Sequence, residues 1–146
     1  MNKLNDVFYV CSLIEYIARK TNNTKKYIVN KLGKDTINKI YNLASIYHTE
    51  NIEKISDELI NQNNITNGNY NIFNIISNSN PPSYFDIGKV YERLVRDISK
   101  NEDEYVDKLI EVMTSWIIEE LDNYDSSLYY ESPNYLYNCY ICGKIL

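Results

Sequence analysis

The chain has 146 residues, enough to bury a hydrophobic core within one domain. Its hydrophobic content of 44% argues against global disorder, and no apolar run approaches the ~20 residues that span a bilayer. Three cysteines, an odd number, argue against a disulfide framework and for a reducing compartment, so we expect a cytoplasmic protein without a membrane partner.

Charge is distributed unevenly along the chain. Residues 1–41 carry eight lysines and arginines against three acids, a net charge of +5. Residues 42–146 carry seven against seventeen, a net charge of −10. The two parts therefore either attract each other or face partners of different charge.

The N-terminal part, residues 1–62, is predicted to form a unit of four short helices. The apolar stretch over 4–20 is interrupted by Glu15 and Tyr16 and lacks a small-residue cleavage site, so it indicates a mature helix rather than a signal peptide. A second helix over 24–32 ends at Gly33, and a third follows over 36–47. A His48-Thr49 corner then leads into a fourth helix that ends near residue 62.

An Asn-rich connector, residues 63–83, separates this unit from the rest. Its asparagines, its glycine and its Pro-Pro pair are turn formers. An apolar island interrupts it and is too hydrophobic for a free linker: Tyr70, Ile72, Phe73, Ile75 and Ile76. We expect a short helical or extended piece lying over the core, with a partner-docking loop as the alternative.

Residues 84–146 are predicted to form a helical hairpin and a tyrosine-rich tail. Ser83 and Asp86 resemble a capping box ahead of a helix over 87–99. The stretch 102–122 has the strongest amphipathic pattern in the chain and is predicted to form one continuous helix. Residues 134–142 favour a last helix, with a strand as the alternative. The whole chain is therefore predicted to be all-α, a compact single-domain bundle of about six to seven helices.

The motif Cys139-Tyr140-Ile141-Cys142-Gly143 has the spacing of half a zinc site. A complete site would need both Cys11 and His48, or a second chain. A lone C-x-x-C is a weak signal, so we favour structural thiols, with metal binding by Cys139 and Cys142 as the alternative. No catalytic residue set and no cofactor is predicted.

A basic cluster gives the sequence an alternative function. The helices before and after Gly33 resemble a helix-turn-helix, in which lysines could contact phosphates. The acidity of the whole chain and the few side chains available to read bases make nucleic acid the less favoured partner. The lysines of this alternative are Lys25, Lys26, Lys31, Lys34 and Lys39.

Several features of residues 8–60 also occur together in a known family. They are the apolar first helix with Ile14-Glu15, Thr24 at the start of the second helix, and the His48-Thr49 corner followed by residues 55–60, ISDELI. In these features the segment resembles a small bacterial helical family of unknown function, whose members are often encoded beside ADP-ribosyltransferase-like toxins. Cys11 departs from that pattern, because it lies earlier than the family's usual cysteine. The resemblance implies a non-enzymatic operon component that neutralises or accompanies a toxin.

The favoured function is a non-enzymatic protein-interaction module with an antitoxin-like role. Tyrosine brings contact area at low entropy cost and is a common interface anchor. The expected partner is a protein, such as a toxin encoded nearby, and a homodimer is left open. The predicted contact residues are Tyr129, Tyr130, Tyr135 and Tyr137, with Glu119 and Asp122 as charges at the rim.

Overall fold

The computed structural model describes residues 2–75 and 80–146, and Ile75 by its backbone alone. Over these residues the chain is helical, with nine α-helices and no strand, so the all-α prediction is confirmed and the count of six to seven helices was too low. The helices are α1 Lys3–Thr21, α2 Lys25–Asn42, α3 Ala44–Tyr47, α4 Ile52–Gln62, α5 Ile72–Ile75, α6 Tyr84–Ile98, α7 Tyr105–Met113, α8 Trp116–Asp122 and α9 Pro133–Cys142.

Helix α1 lies at the centre of the fold. It packs against α2, α3, α4, α6 and α7, with its most extensive contact on α6. Its apolar residues occupy more than one face, so a helix of this composition has to be covered on several sides. The α1–α6 contact is close because Gly88 has no Cβ: one placed there would lie 2.3 Å from Ser12 Oγ. Part of the stretch 102–122 covers one side of this core, because α7 packs against α1, α2 and α6.

Local signals set most helix ends. Asn2, Thr24, Asn51, Ser83 and Ser132 each cap a helix, their side-chain oxygens accepting a backbone N–H of the first turn. Gly143 ends α9 at a φ of 75°, so the prediction of a last helix is confirmed. Gly33, at φ 78° and ψ 163°, interrupts α2 where the sequence predicted a break between two helices.

The predicted continuous helix over 102–122 is wrong. A 3-10 turn over Glu102–Glu104 leads into α7, and the helix is broken again before α8. Thr114 Oγ1 donates to the Ile110 carbonyl at 2.8 Å, and Ser115 Oγ donates to the Val112 carbonyl at 2.7 Å. Hydroxyls that bond nearby carbonyls compete with helix continuation, and Ser115 adopts extended backbone angles at the break.

The described residues of the connector up to Ile72 lie over the core, as expected. Ile65 and Ile72 are buried. The backbone N–H of Gly68 donates to the carbonyl of Thr21, the last residue of α1, and that of Tyr70 donates to the carbonyl of Asn22, which follows it, both at 2.8 Å. The short helix α5 takes up part of the predicted apolar island, whose Ile76 lies outside the described residues. Among the helices described, none is both long and apolar enough to cross a bilayer.

Candidate functional site

The predicted tyrosine anchors lie in the 3-10 turn Leu128–Tyr130 and in α9. Tyr130 is the most exposed, with 69% of its surface accessible. Its ring packs edge-on against the ring of Tyr129, with 5.0 Å between the ring centroids. The Tyr129 ring packs edge-on against the buried ring of Tyr124, with 5.5 Å between the centroids. Such edge-to-face stacking stabilises aromatic pairs. The Tyr129 ring therefore holds the exposed Tyr130 ring in place, and the Tyr124 ring holds that of Tyr129.

The other two predicted tyrosines are half-buried. The Tyr135 hydroxyl donates to the backbone carbonyl of Leu146, which fixes the end of the chain against α9. Tyr137 lines a shallow depression between α6 and α9, and Tyr129 lines a neighbouring cavity of about 320 Å³. We call Tyr129, Tyr130 and Tyr137, with these two depressions, the tyrosine surface; the predicted anchor Tyr135 lines neither depression. Pro133 lies in the lining of both depressions and connects them.

The two charged residues predicted at the rim differ in their exposure to solvent. Glu119 is exposed, as a rim charge has to be. Asp122 is only 1% exposed, so its prediction as a rim charge is wrong. Its carboxylate points inward because a buried lysine pairs with it: Lys25 Nζ donates to Asp122 Oδ1 at 2.5 Å.

This ion pair belongs to a buried charge cluster. Lys25 is 1% exposed and also lies 3.3 Å from Oε1 of Glu15, which is fully buried. Arg19 Nε donates to Glu15 Oε2 at 2.8 Å, completing a set of two acids and two bases. Buried charges are tolerated when they are paired and hydrogen-bonded in this way.

Two tyrosine hydroxyls also donate to the carboxylates of the cluster. Tyr91 donates to Glu15 Oε1 and Tyr70 donates to Asp122 Oδ2, both at 2.9 Å. The cluster therefore ties together α1, α2, α6, the connector and α8. Glu15, Lys25 and Asp122 are each at most 1% exposed, so the arrangement is that of a buried polar core.

The pKa values of the residues in and around the cluster are shifted in different directions. Burial acts against the charge of Glu15, but the adjacent Lys25 and Arg19 outweigh it and lower the pKa of Glu15. Burial, together with the nearby Glu15 carboxylate, raises the pKa of Asp122. Burial opposes the charge of Lys25, yet its two carboxylate partners raise its pKa, and burial beside Glu15 raises the pKa of Tyr91 well above its ordinary value.

The buried charge cluster was not predicted from the sequence, although one signal was present. Glu15 lies between Ile14 and Ile17 on a helix that is apolar on several faces, where a carboxylate is expected to need a buried partner. Its lysine partner could not be chosen from the sequence, because five lysines occur between residues 25 and 39.

The basic residues of the DNA-binding alternative are not equivalent in the structure. Lys25 is buried, so its prediction as a phosphate contact is wrong. Lys34 pairs with Asp107 at 2.7 Å, and Lys31 Nζ lies 5.9 Å from the ring centre of Tyr27. Lys26 and Lys39 are exposed. DNA binding stays a prediction, and it now depends on fewer free cations than the sequence indicated.

The cysteines of the C-x-x-C motif also have different environments. Cys139 is fully buried in the core and Cys142 is exposed. Cys11 is buried in α1, where burial raises its thiol pKa well above the ordinary value, and His48 is exposed. Across residues 2–75 and 80–146, no three His, Cys, Asp or Glu side chains are grouped so as to hold a metal ion.

Compared with known proteins, the chain matches no family model, no curated protein and no solved structure.

Proposed function

We propose that the chain is a non-enzymatic protein-interaction module that binds its partner through the tyrosine surface. The observation that supports this most is the exposed ring of Tyr130, which rests on the stacked rings of Tyr129 and Tyr124. A supported aromatic ring loses little conformational freedom on binding and contributes a large contact area. These are the properties of an interface anchor.

The partner is expected to present charges of both signs. The two depressions of the tyrosine surface are lined by three acids and three bases: Asp86, Asp97, Glu131, Lys89, Arg93 and Arg96. Complementary charges at a rim increase the association rate and disfavour wrong partners. Because residues 8–60 resemble a family encoded beside toxins, the sharper form of the proposal is an antitoxin-like role towards the product of an adjacent gene.

The test is coexpression of the chain with the product of each adjacent gene, followed by affinity purification and a growth assay. We expect a stable complex, and restored growth where the neighbour is toxic. Tyr130→Ala should weaken the complex about 10- to 30-fold, roughly 1.4–2 kcal/mol, as the loss of an interface anchor does.

Phe73→Ala is the matched control, because Phe73 is an exposed aromatic residue with 57% of its surface accessible and lies on α5, outside the tyrosine surface. It should leave the complex unchanged. A chain that binds no neighbour and restores no growth would refute the antitoxin-like role. A complex that is equally strong with Tyr130→Ala would show that the tyrosine surface is not the contact.

A further inference from the structure

A short segment of the connector crosses the junction where α1 ends and α2 begins. It covers residues 66–71 and lies between two buried isoleucines, Ile65 and Ile72. We call residues 66–71 the strap. Residues 66–69 are exposed and residues 70–71 are half-buried, so no residue of the strap belongs to the core. A segment with so few buried apolar contacts is among the least stable parts of a fold.

Backbone hydrogen bonds hold one half of the strap closed. The N–H of Gly68 donates to the carbonyl of Thr21 at 2.8 Å. The N–H of Tyr70 donates to the carbonyl of Asn22, also at 2.8 Å. A Cβ at Gly68 would lie 2.7 Å from that Asn22 carbonyl oxygen, so the strap can approach the junction this closely only because position 68 has no side chain.

Side-chain hydrogen bonds hold the other half, at Thr66. The Thr66 N–H donates to the hydroxyl oxygen of Tyr27 at 3.2 Å, and the two side-chain hydroxyls lie 3.1 Å apart. The side-chain amide of Asn23 donates to the Thr66 carbonyl at 2.8 Å. All three bonds are exposed, so water can satisfy each group when the strap moves away, and the net cost of breaking each bond is small.

The side chain of Tyr70 connects the strap to the buried charge cluster. Its ring is half-buried, and its hydroxyl donates to Asp122 Oδ2 at 2.9 Å. Burial and the adjacent Asp122 carboxylate raise the pKa of Tyr70, so the hydroxyl keeps its proton at neutral pH. The other oxygen of Asp122 pairs with Lys25, which also pairs with Glu15. The strap itself contains no charged residue, so these ion pairs do not depend on it.

We propose that the strap is a lid that opens as one unit while the helices stay folded, and that its opening brings Asp122 into contact with solvent. The buried side chains of Ile65 and Ile72 fix the two ends of the lid. In the open state water replaces the Tyr70 hydroxyl as a donor to Asp122, and Lys25 remains paired with the carboxylate. The lid goes beyond the proposed function, because its opening requires no partner and no residue of the tyrosine surface.

Native-state hydrogen exchange of the full chain, followed by NMR at urea concentrations below the unfolding transition, tests the lid. The amides of Gly68 and Tyr70 report on the strap, and the amide of the fully buried Leu13 in α1 reports on the helical core. Relative to unfolded rates, we expect the strap amides to exchange about 100-fold faster than the core amide. Urea should accelerate the core amide strongly and the strap amides weakly, because lid opening exposes little surface.

Tyr27→Phe tests whether the strap opens as one unit, because it removes the hydroxyl that bonds Thr66 and keeps the ring. Both strap amides should then exchange about 5-fold faster, as the loss of one hydrogen bond predicts, while the core amide is unchanged. Tyr140→Phe is the matched control, since it removes a tyrosine hydroxyl that bonds Glu111 on α7, away from the strap. It should leave the exchange of the strap amides unchanged.

Carboxyl labelling tests the access of solvent to Asp122. A water-soluble carbodiimide and an added amine modify accessible carboxylates, and mass spectrometry detects Asp122 that carries the amine or is cross-linked to the adjacent Lys25. We expect Asp122 to react faster than Glu15, which has no strap residue among its hydrogen-bond partners in the described part of the chain. Tyr27→Phe should increase the rate at Asp122 about 5-fold, in parallel with the strap amides.

Strap amides that match Leu13 in protection and urea dependence would overturn the inference, because the strap would then open only by global unfolding. Strap amides without protection would also overturn it, as would an Asp122 that reacts no faster than Glu15. Gly68→Ala is a stronger second perturbation and should remove protection at Tyr70 while Leu13 stays protected. Loss of protection at both would show that the strap and the core are one cooperative unit, which is the contrary result.

Discussion

Replacing Lys25 by methionine removes the cation that the buried cluster depends on. Lys25 Nζ lies 2.5 Å from Asp122 Oδ1 and 3.3 Å from Glu15 Oε1, and all three residues are at most 1% exposed. Methionine has a similar length and no charge, so the main change is electrostatic. Arg19 still neutralises Glu15 in the variant, but Asp122 keeps only its hydrogen bond from Tyr70.

Breaking a buried ion pair by removing one partner typically costs about 3–5 kcal/mol, because an uncompensated charge stays buried. A protein of this size loses roughly 2–4 °C in melting temperature per kcal/mol, so we expect Lys25→Met to melt about 6–20 °C lower. The assay is urea unfolding followed by circular dichroism, combined with a thermal scan. A loss below about 1 kcal/mol would refute the reasoning that the cluster is paired and desolvated.

Lys34→Met is the matched control. Lys34 pairs with Asp107 at 2.7 Å, a distance like that of the buried pair, but the two side chains are 59% and 61% exposed. Exposed ion pairs contribute about 0–1 kcal/mol, so this variant should be nearly neutral.

Lys25→Met combined with Asp122→Leu should be more stable than Lys25→Met alone, because the buried carboxylate without a cation is then removed. A double variant that is less stable than Lys25→Met would contradict this account.

Two further predictions follow from the same core. The pKa values of Lys25 and Tyr91 are raised by folding, so above about pH 10 the folded chain holds more protons than the unfolded chain and urea midpoints should fall as pH rises. Tyr9, whose pKa is about 12, contributes to the same decline, and Tyr9→Phe should make it shallower; a midpoint that is constant from pH 8 to 11 would be the contrary result. Gly88→Ala places a Cβ 2.3 Å from Ser12 Oγ and should cost about 1–3 kcal/mol, part of which Ser12→Ala recovers; an additive loss in the double variant would contradict this.

Local signals made much of the fold predictable. Thr24, Ser83, Gly33 and Gly143 act through their own side chains or backbone angles within a few residues, so the corresponding helix ends could be placed from the sequence. The break before α8 was missed because its apolar pattern continues across Ser115, and helical spacing does not show whether a hydroxyl will bond a carbonyl behind it.

The candidate sites were less predictable, because exposure is a property of the folded chain. The sequence indicated a tyrosine surface, yet it could not show that Tyr130 would be exposed while Tyr124 supports it from the core. A cavity lined by Asp6, Glu50 and Phe85 is built from three segments that lie far apart in the sequence, so no local pattern could predict it.

The sequence by itself determined that this chain is helical and where most of its helices begin and end, since hydrophobic spacing and caps are local. Only the tertiary structure decided that α1 lies at the centre and that Lys25 and Asp122, 97 residues apart, neutralise each other inside the protein. The sequence alone does not distinguish a charged residue that is solvated from one that is buried. Which of the two it becomes depends on the partners that packing brings to it.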